Sequence, residues 1–151
     1  VASSILRLMY YSMDYIFGYF KTVRKALTRR ELVVFDRYYT DIICDSRRSR
    51  IYLNPKFLYG WGKLFIPSLD YNILLTARTE IILNRKRELD EVDIKTINSR
   101  IDYLEGKNGY KKVLNENTPE ETVRDILSYI FENQHKKNLK RIIHIMRWVR
   151  P

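Results

Sequence analysis

Apolar residues recur every three or four positions over residues 4–27, which is the spacing of one face of an α-helix. This stretch is predicted to be a long amphipathic helix, and the cations of residues 21–30 suit the negative end of its dipole. The next pattern is a continuous apolar run over residues 32–35 that ends at a charged pair. Its β-branched centre predicts a strand buried on both faces.

Strand and helix patterns then alternate along the chain. Thr118, Pro119 and Glu121 form a capping box with proline in the first turn, so a helix is predicted to begin there. This alternation predicts an α/β fold with a parallel sheet. Before that helix, strands are predicted over residues 71–76 and 112–115. Helices are predicted over residues 54–64, 80–89 and 93–104.

Residues 136–151 hold six cations and no acid, and apolar residues give the segment a second face. The composition is typical of a basic amphipathic helix, which would lie at a membrane surface, beside another domain, or packed on the body of the protein. We therefore divide the chain into a domain over residues 1–134 and a basic tail over residues 135–151.

The composition limits the class of protein. The 151 residues suit one domain, and the 28 cations against 18 acids give a net charge of +10. The lone Cys44 excludes an internal disulfide framework, and His135 and His144 lack partners at metal-binding spacing. Without a long apolar run or a signal peptide pattern, the chain is predicted to be a soluble cytoplasmic protein.

Asp36 and Arg37 come directly after the apolar run of residues 32–35. Open parallel sheets bind ligands beyond the carboxyl ends of their strands, so this pair is a candidate site. An aspartate can hold a water on Mg²⁺, and an arginine can bind a phosphate through two parallel hydrogen bonds. A surface ion pair is the alternative.

The chain resembles the thymidylate kinase family over about residues 5–132. The resemblance depends on four elements that occur in order: the VVFDRYY sequence of residues 33–39, Pro67-x-x-Asp70, the basic run of residues 85–89, and the strand, cap and helix of residues 115–130. Residues 35–41 and 45–50 are most similar to the thymidylate kinase-like proteins of bacterial surface-polysaccharide biosynthesis.

The resemblance implies a P-loop nucleoside-monophosphate kinase fold, with a five-stranded parallel sheet flanked by helices and with ATP and Mg²⁺ as cofactors. The γ-phosphoryl group of ATP would pass to a nucleoside monophosphate or a related phosphorylated acceptor. Asp36 would lie near the acceptor phosphate and the metal, Arg37 would bind that phosphate, and Tyr38 would line the acceptor pocket. The lid would contain Arg85, Lys86 and Arg87, with Arg85 acting on the transferring group.

The sequence departs from the family pattern in three places. The family has an Asp-Arg pair where this chain has Asp14 and Tyr15. Asp14 stays a substrate-binding candidate, but the arginine that would bind the acceptor phosphate is absent. Arg47 and Arg48 stand near the expected base-binding region and offer either another phosphate contact or a solvated loop. The ATP-binding G-x-x-x-x-G-K-[ST] loop and the first strand are missing, so we expect a longer parent chain.

Two other functions are kept beside the kinase. One is a non-catalytic basic module that binds RNA or an acidic lipid surface, although the interleaved acids before residue 135 make nucleic acid the less favoured partner. The other is a kinase remnant that acts as a scaffold. A homodimer and a membrane contact by the basic tail are left open.

Overall fold

The computed structural model describes residues 1–85, 90–107 and 109–148. A π-helical turn, Tyr19–Val23, joins the first two helices into the long helix that the sequence predicts. The helices are α1 (Ala2–Gly18), α2 (Arg24–Thr28), α3 (Thr40–Cys44), α4 (Ser46–Ser49), α5 (Pro55–Phe65), α6 (Thr79–Arg85), α7 (Glu91–Leu104) and α8 (Pro119–Trp148), and the strands are β1 (Asn72–Thr76) and β2 (Tyr110–Leu114).

The chain divides into two compact units. Unit 1 comprises residues 1–70 and 92–103, and unit 2 comprises residues 71–91 and 104–151. The core of unit 1 is built by aliphatic side chains that are almost fully removed from solvent, namely Leu8, Ile43, Ile51, Leu58 and Ile94. Burial of such side chains supplies about 1.5 to 3 kcal/mol each, so these contacts hold α1, α3, α5 and α7 in place.

Unit 2 contains a parallel pair of strands. Asn72 of β1 lies opposite Tyr110 of β2, and Thr76 lies opposite Leu114. Leu74 and Val113 are buried, whereas the neighbouring positions along each strand are more exposed. The prediction of a mixed α/β fold with a parallel sheet flanked by helices is confirmed, but the sheet of the described residues has two strands, not the five that the resemblance implies.

The predicted strand over residues 32–35 is wrong. These residues are irregular, and Leu32 and Val34 are 89% and 79% exposed. An apolar run becomes a buried strand only when other strands pair with its backbone and other side chains cover its faces. Neither condition is met in the part of the chain that the structure describes.

The two capped helices confirm their local signals. The side chain of Asn54 accepts a hydrogen bond from the Lys56 N–H at 2.8 Å, and Pro55 begins α5. Thr118 lies directly before the first residue of α8, and its Oγ1 accepts a hydrogen bond from the Glu121 N–H at 3.3 Å. In both cases the cap satisfies one of the backbone donors that a helix leaves without an internal partner.

The basic tail continues α8 without a break as far as Trp148. Leu139, Ile142 and Ile143 of this segment are each about half exposed. The three positions proposed for the tail, at a membrane surface, beside another domain or on the body of the protein, therefore all stay predictions. Among the described helices, none combines the length and the apolar character that crossing a bilayer requires.

Candidate functional site

Asp36 and Arg37 lie in an exposed bend between α2 and α3. Arg37 has a φ of 71°, in the left-handed region that residues with a Cβ seldom adopt. Its Nε lies 4.0 Å from Oδ2 of Asp41, and the two side chains are 51% and 44% exposed. A pair this open to solvent contributes little stability, so the strained backbone of Arg37 is not explained by the ion pair.

Tyr38 is held by its neighbours on both the ring and the hydroxyl. Its hydroxyl donates to the carbonyl of Pro67 at 2.7 Å. Its ring centre lies 4.9 Å from the ring of Tyr15 and the same distance from the ring of Phe35. Tyr38 is therefore a fixed wall beside the Asp36–Arg37 bend.

The pKa values of Tyr15 and Asp41, which lie in this region, are both raised. Burial raises the pKa of Tyr15 to about 12, and the charges of Asp41 and Asp14 act in the same direction. Burial also raises the pKa of Asp41, and Asp45 and Asp36 raise it further while Arg37 lowers it. Burial and the neighbouring acidic groups thus disfavour the ionised forms of the Tyr15 and Asp41 side chains.

The structure brings four of the predicted residues into one neighbourhood. The charge of Asp14 raises the pKa of Tyr15, and the ring of Tyr38 packs on the ring of Tyr15. The charge of Asp36 raises the pKa of Asp41, and the charge of Arg37 lowers it. We call Asp14, Asp36, Arg37 and Tyr38 the α1–α3 cluster. Because Arg37 is the cation of this cluster, it is the group in it that suits a phosphate.

Arg47 and Arg48 lie on α4. Arg47 forms an ion pair with Asp93 of α7. The Arg48 backbone N–H donates to Oδ1 of Asp45 at 3.0 Å, which caps α4, while the Arg48 side chain is exposed. Arg47 thus joins two helices of unit 1, and Arg48 presents its charge to solvent.

Arg100 is a structural residue that the sequence reasoning missed. Its Nη1 donates to the carbonyls of Ile43 and Cys44 at 3.1 and 3.4 Å and also to Oγ of Ser46. Arg100 thereby satisfies the last carbonyls of α3, which have no partner within the helix. No local pattern could have shown this contact, because 54 residues separate Arg100 from Ser46.

A second charged cluster lies at the carboxyl ends of β1 and β2. Arg78, two residues after β1, donates its backbone N–H to Oε1 of Glu116 at 2.9 Å and its Nε to Oε2 at 3.0 Å. Arg85 of α6 donates Nη1 to the carbonyl of Asn115 at 2.8 Å and Nη2 to that of Glu116 at 3.4 Å. We call Arg78, Arg85 and Glu116 the strand-end cluster.

The sequence reasoning included Arg85 but missed Arg78 and Glu116. The signal was present, since Arg78 stands two positions beyond one predicted strand and Glu116 one position beyond the other. Open parallel sheets bind ligands beyond the carboxyl ends of their strands. Arg78 and Glu116 follow the observed strands β1 and β2, whereas Asp36 and Arg37 follow residues 32–35, which do not form a strand. Lys86 and Arg87, the other two predicted lid residues, lie outside the described residues.

Neither Cys44 nor the other metal-ligating residue types form a recognisable site in the part of the chain that the structure describes. Cys44 is buried, and burial raises the pKa of its thiol to about 12, so at neutral pH it lacks the thiolate that nucleophilic or metal-binding cysteines use. The described residues contain no group of three His, Cys, Asp or Glu side chains placed to hold a metal ion.

Comparisons with known proteins return no match to a family model, to a curated protein or to a solved structure.

Proposed function

We propose that the chain is the acceptor-binding and lid-bearing part of a nucleotide kinase-like phosphotransferase. The reaction would move the γ-phosphoryl group of ATP to a nucleoside monophosphate or a related phosphorylated acceptor. The observation that carries this proposal is the strand-end cluster, in which two arginines meet the turn that follows a parallel strand. Carboxyl ends of parallel strands are where open α/β sheets bind their ligands.

The geometry of the strand-end cluster suits a phosphate ligand. The Nε of Arg78 is bound to Glu116, and the Arg78 side chain is 71% exposed, so the outer part of its guanidinium faces solvent. The hydrogen bonds from Arg85 to two backbone carbonyls fix its direction at the same turn. Fixed cations stabilise the negative charge that spreads over a transferring phosphoryl group.

Arg37 and Asp36 are proposed to bind the acceptor. Arg37 would pair with the acceptor phosphate through its guanidinium, since its side chain is 51% exposed. Asp36 has an exposed carboxylate, and Mg²⁺ is commonly bound by one or two carboxylates together with substrate phosphates and water. Mg²⁺ held by Asp36 would supply neutralisation of phosphate charge.

The proposal requires a phosphate-binding loop outside residues 1–151, because the sequence contains no G-x-x-x-x-G-K-[ST] motif. The test therefore uses the natural full-length protein. Transfer from ATP to a panel of nucleoside monophosphates and sugar phosphates would be followed by release of ADP. Failure to transfer to any acceptor would contradict the proposal and favour the scaffold alternative.

Two variants then assign the clusters. Arg85→Ala is expected to lower kcat, since it removes a cation at the reacting phosphates, and Arg37→Ala is expected to raise the KM for the acceptor. Loss of one charge-assisted contact costs about 1.5 to 3 kcal/mol, which corresponds to a decrease of about 10- to 150-fold in kcat/KM. Arg124→Ala is the matched control, because Arg124 is exposed on α8 and belongs to neither cluster.

A further inference from the structure

α1 and the π-helical turn that follows it carry a row of apolar side chains on the side that faces solvent. Its members are spaced three or four residues apart, as neighbours on one helix face are. At 1.5 Å per residue the row extends for about 21 Å. We call it the α1 stripe, and its members, each more than half exposed, are Leu6, Tyr10, Met13, Phe17 and Phe20.

The opposite side of α1 is fixed in unit 1. Ser4 and Ser12 are buried there. Ser4 Oγ accepts from the Tyr52 N–H at 3.2 Å, and Ser12 Oγ accepts from Nε1 of Trp61 at 2.9 Å. These contacts set the rotation of α1 about its axis, so the α1 stripe faces away from unit 1.

Cations follow the α1 stripe directly. Residues 21–30 hold five of them and no acid, and in the whole of residues 1–30 Asp14 is the sole acid against six cations. The guanidinium of Arg24 lies 5.9 Å from the centre of the Phe20 ring. The apolar row and the positive charge are thus parts of one surface.

The apolar surface widens beside Phe20. A shallow, open depression of about 430 Å³ lies there between the end of α1 and the end of α5. Leu64 and Phe65 line it and are exposed, and Lys63 adds a further exposed cation next to them. The region therefore combines aromatic and aliphatic side chains with a rim of positive charge.

We propose that the α1 stripe and the cations of residues 21–30 bind the surface of a bilayer that contains anionic phospholipid, with α1 lying in the interface. A helix with exposed Phe and Leu on one side and Lys and Arg beside them is typical of interfacial binding. Cations near an anionic bilayer add attraction that decreases with salt.

The positive charge of this surface favours an anionic bilayer over a second copy of the chain as its partner. A second α1 laid on the stripe would bring six more cations and one more acid to the same surface, so it would supply no negative charge to compensate them. Like charges placed together oppose association, whereas anionic headgroups would neutralise the cations. A bilayer also accommodates Tyr10, Phe17 and Phe20 at the boundary between headgroups and acyl chains.

The test is sedimentation of the natural full-length protein with vesicles of phosphatidylcholine alone and of phosphatidylcholine mixed with phosphatidylserine. Binding is expected to the mixed vesicles, at least about tenfold weaker to the neutral ones, and weaker as salt rises. Equal binding to both kinds of vesicle, or none to either, would overturn the proposal.

Variants locate the binding surface. The double variant Phe17→Ser, Phe20→Ser and the triple variant Lys21→Gln, Arg24→Gln, Lys25→Gln should each lose binding, and circular dichroism checks that both remain folded. The matched control removes three exposed cations of α8 by Lys136→Gln, Lys140→Gln and Arg141→Gln, and it should keep most of the binding. Loss of binding in the control alone would assign the surface to the basic tail and contradict the proposal.

The oligomeric state in solution shows whether a second copy of the chain covers the α1 stripe. Light scattering of the chain without lipid should give a monomer for both the wild type and the double variant. A dimer that dissociates in Phe17→Ser, Phe20→Ser would show that a second copy covers the α1 stripe. Binding to RNA but not to anionic vesicles would likewise overturn the lipid assignment.

Discussion

Gly62 of α5 lies directly against the ring of Tyr39. A Cβ added at Gly62 would fall 2.8 Å from Cδ1 of that ring and closer still to Cε1. Tyr39 is buried, and its hydroxyl donates to the carbonyl of Leu58 at 2.8 Å. Since Leu58 and Gly62 are one helical turn apart, α5 fixes both the face and the hydroxyl of the same ring.

We expect Gly62→Ala to destabilise the protein. Alanine is the better helix former, but its methyl group would force the buried ring of Tyr39 to move, and crowding of this kind costs about 1 to 3 kcal/mol. Urea unfolding followed by circular dichroism measures the change in the free energy of unfolding.

Gly60→Ala is the matched control in the same helix. Nothing lies within 4 Å of a Cβ added at Gly60. The substitution should therefore stabilise α5 by about 0.5 to 1 kcal/mol through helix propensity alone. If both variants raise stability, the close approach of Tyr39 to Gly62 is not what keeps glycine at that position.

The ionisation of Asp41 should oppose folding. Burial raises its pKa above the ordinary value of 3.8, so the folded state holds the proton more tightly than the unfolded chain does. The contribution of Asp41 to stability is then fully present below pH 3.8 and is lost as pH rises through the raised pKa. Asp41→Asn stays neutral, so its urea midpoint should rise relative to the wild type as pH increases over that range.

Asp125→Asn is the control for this comparison, because Asp125 is exposed on α8. Its midpoint should follow the wild type at every pH. If instead the midpoint of Asp41→Asn falls relative to the wild type as pH rises, the ion pair between Arg37 and Asp41 outweighs the cost of burying the carboxylate.

Local signals predicted the longer helices, but the short helices α3 and α4 were not predicted. Asn54 with Pro55, and Thr118 with Pro119, define helix starts because a cap and its helix lie within a few residues of each other. β1 was also predicted, since its apolar run is bounded by Asp70 and the charged residues that follow.

Residues 32–35 show where such reasoning fails. The run is apolar and β-branched, yet a strand depends on partners from distant parts of the chain, and sequence pattern alone does not supply them. The same limit applies to the sites. Arg78 was missed because its partner Glu116 is 38 residues away, and the direction of Arg85 toward Asn115 could not be inferred from its basic neighbours.

Arg100→Met should destabilise unit 1. The substitution keeps much of the side-chain volume but removes the donor that reaches the carbonyls of Ile43 and Cys44. Leaving part-buried acceptors without a partner costs about 1 to 3 kcal/mol, and urea unfolding measures it. Arg124→Met on the exposed face of α8 is the control and should change stability by less than about 0.5 kcal/mol.

The thiol of Cys44 reports on the same contact. Because Cys44 is buried and its pKa is raised to about 12, its reaction with a thiol reagent at neutral pH should be slow in the folded wild type and fast in urea. Arg100 lowers the pKa of Cys44, so its loss in Arg100→Met reduces the thiolate fraction further. A faster reaction in that variant would therefore report opening of α3, since the change in charge acts in the opposite direction. We expect this faster reaction, and an unchanged or slower rate would show that α3 stays closed without the Arg100 hydrogen bonds.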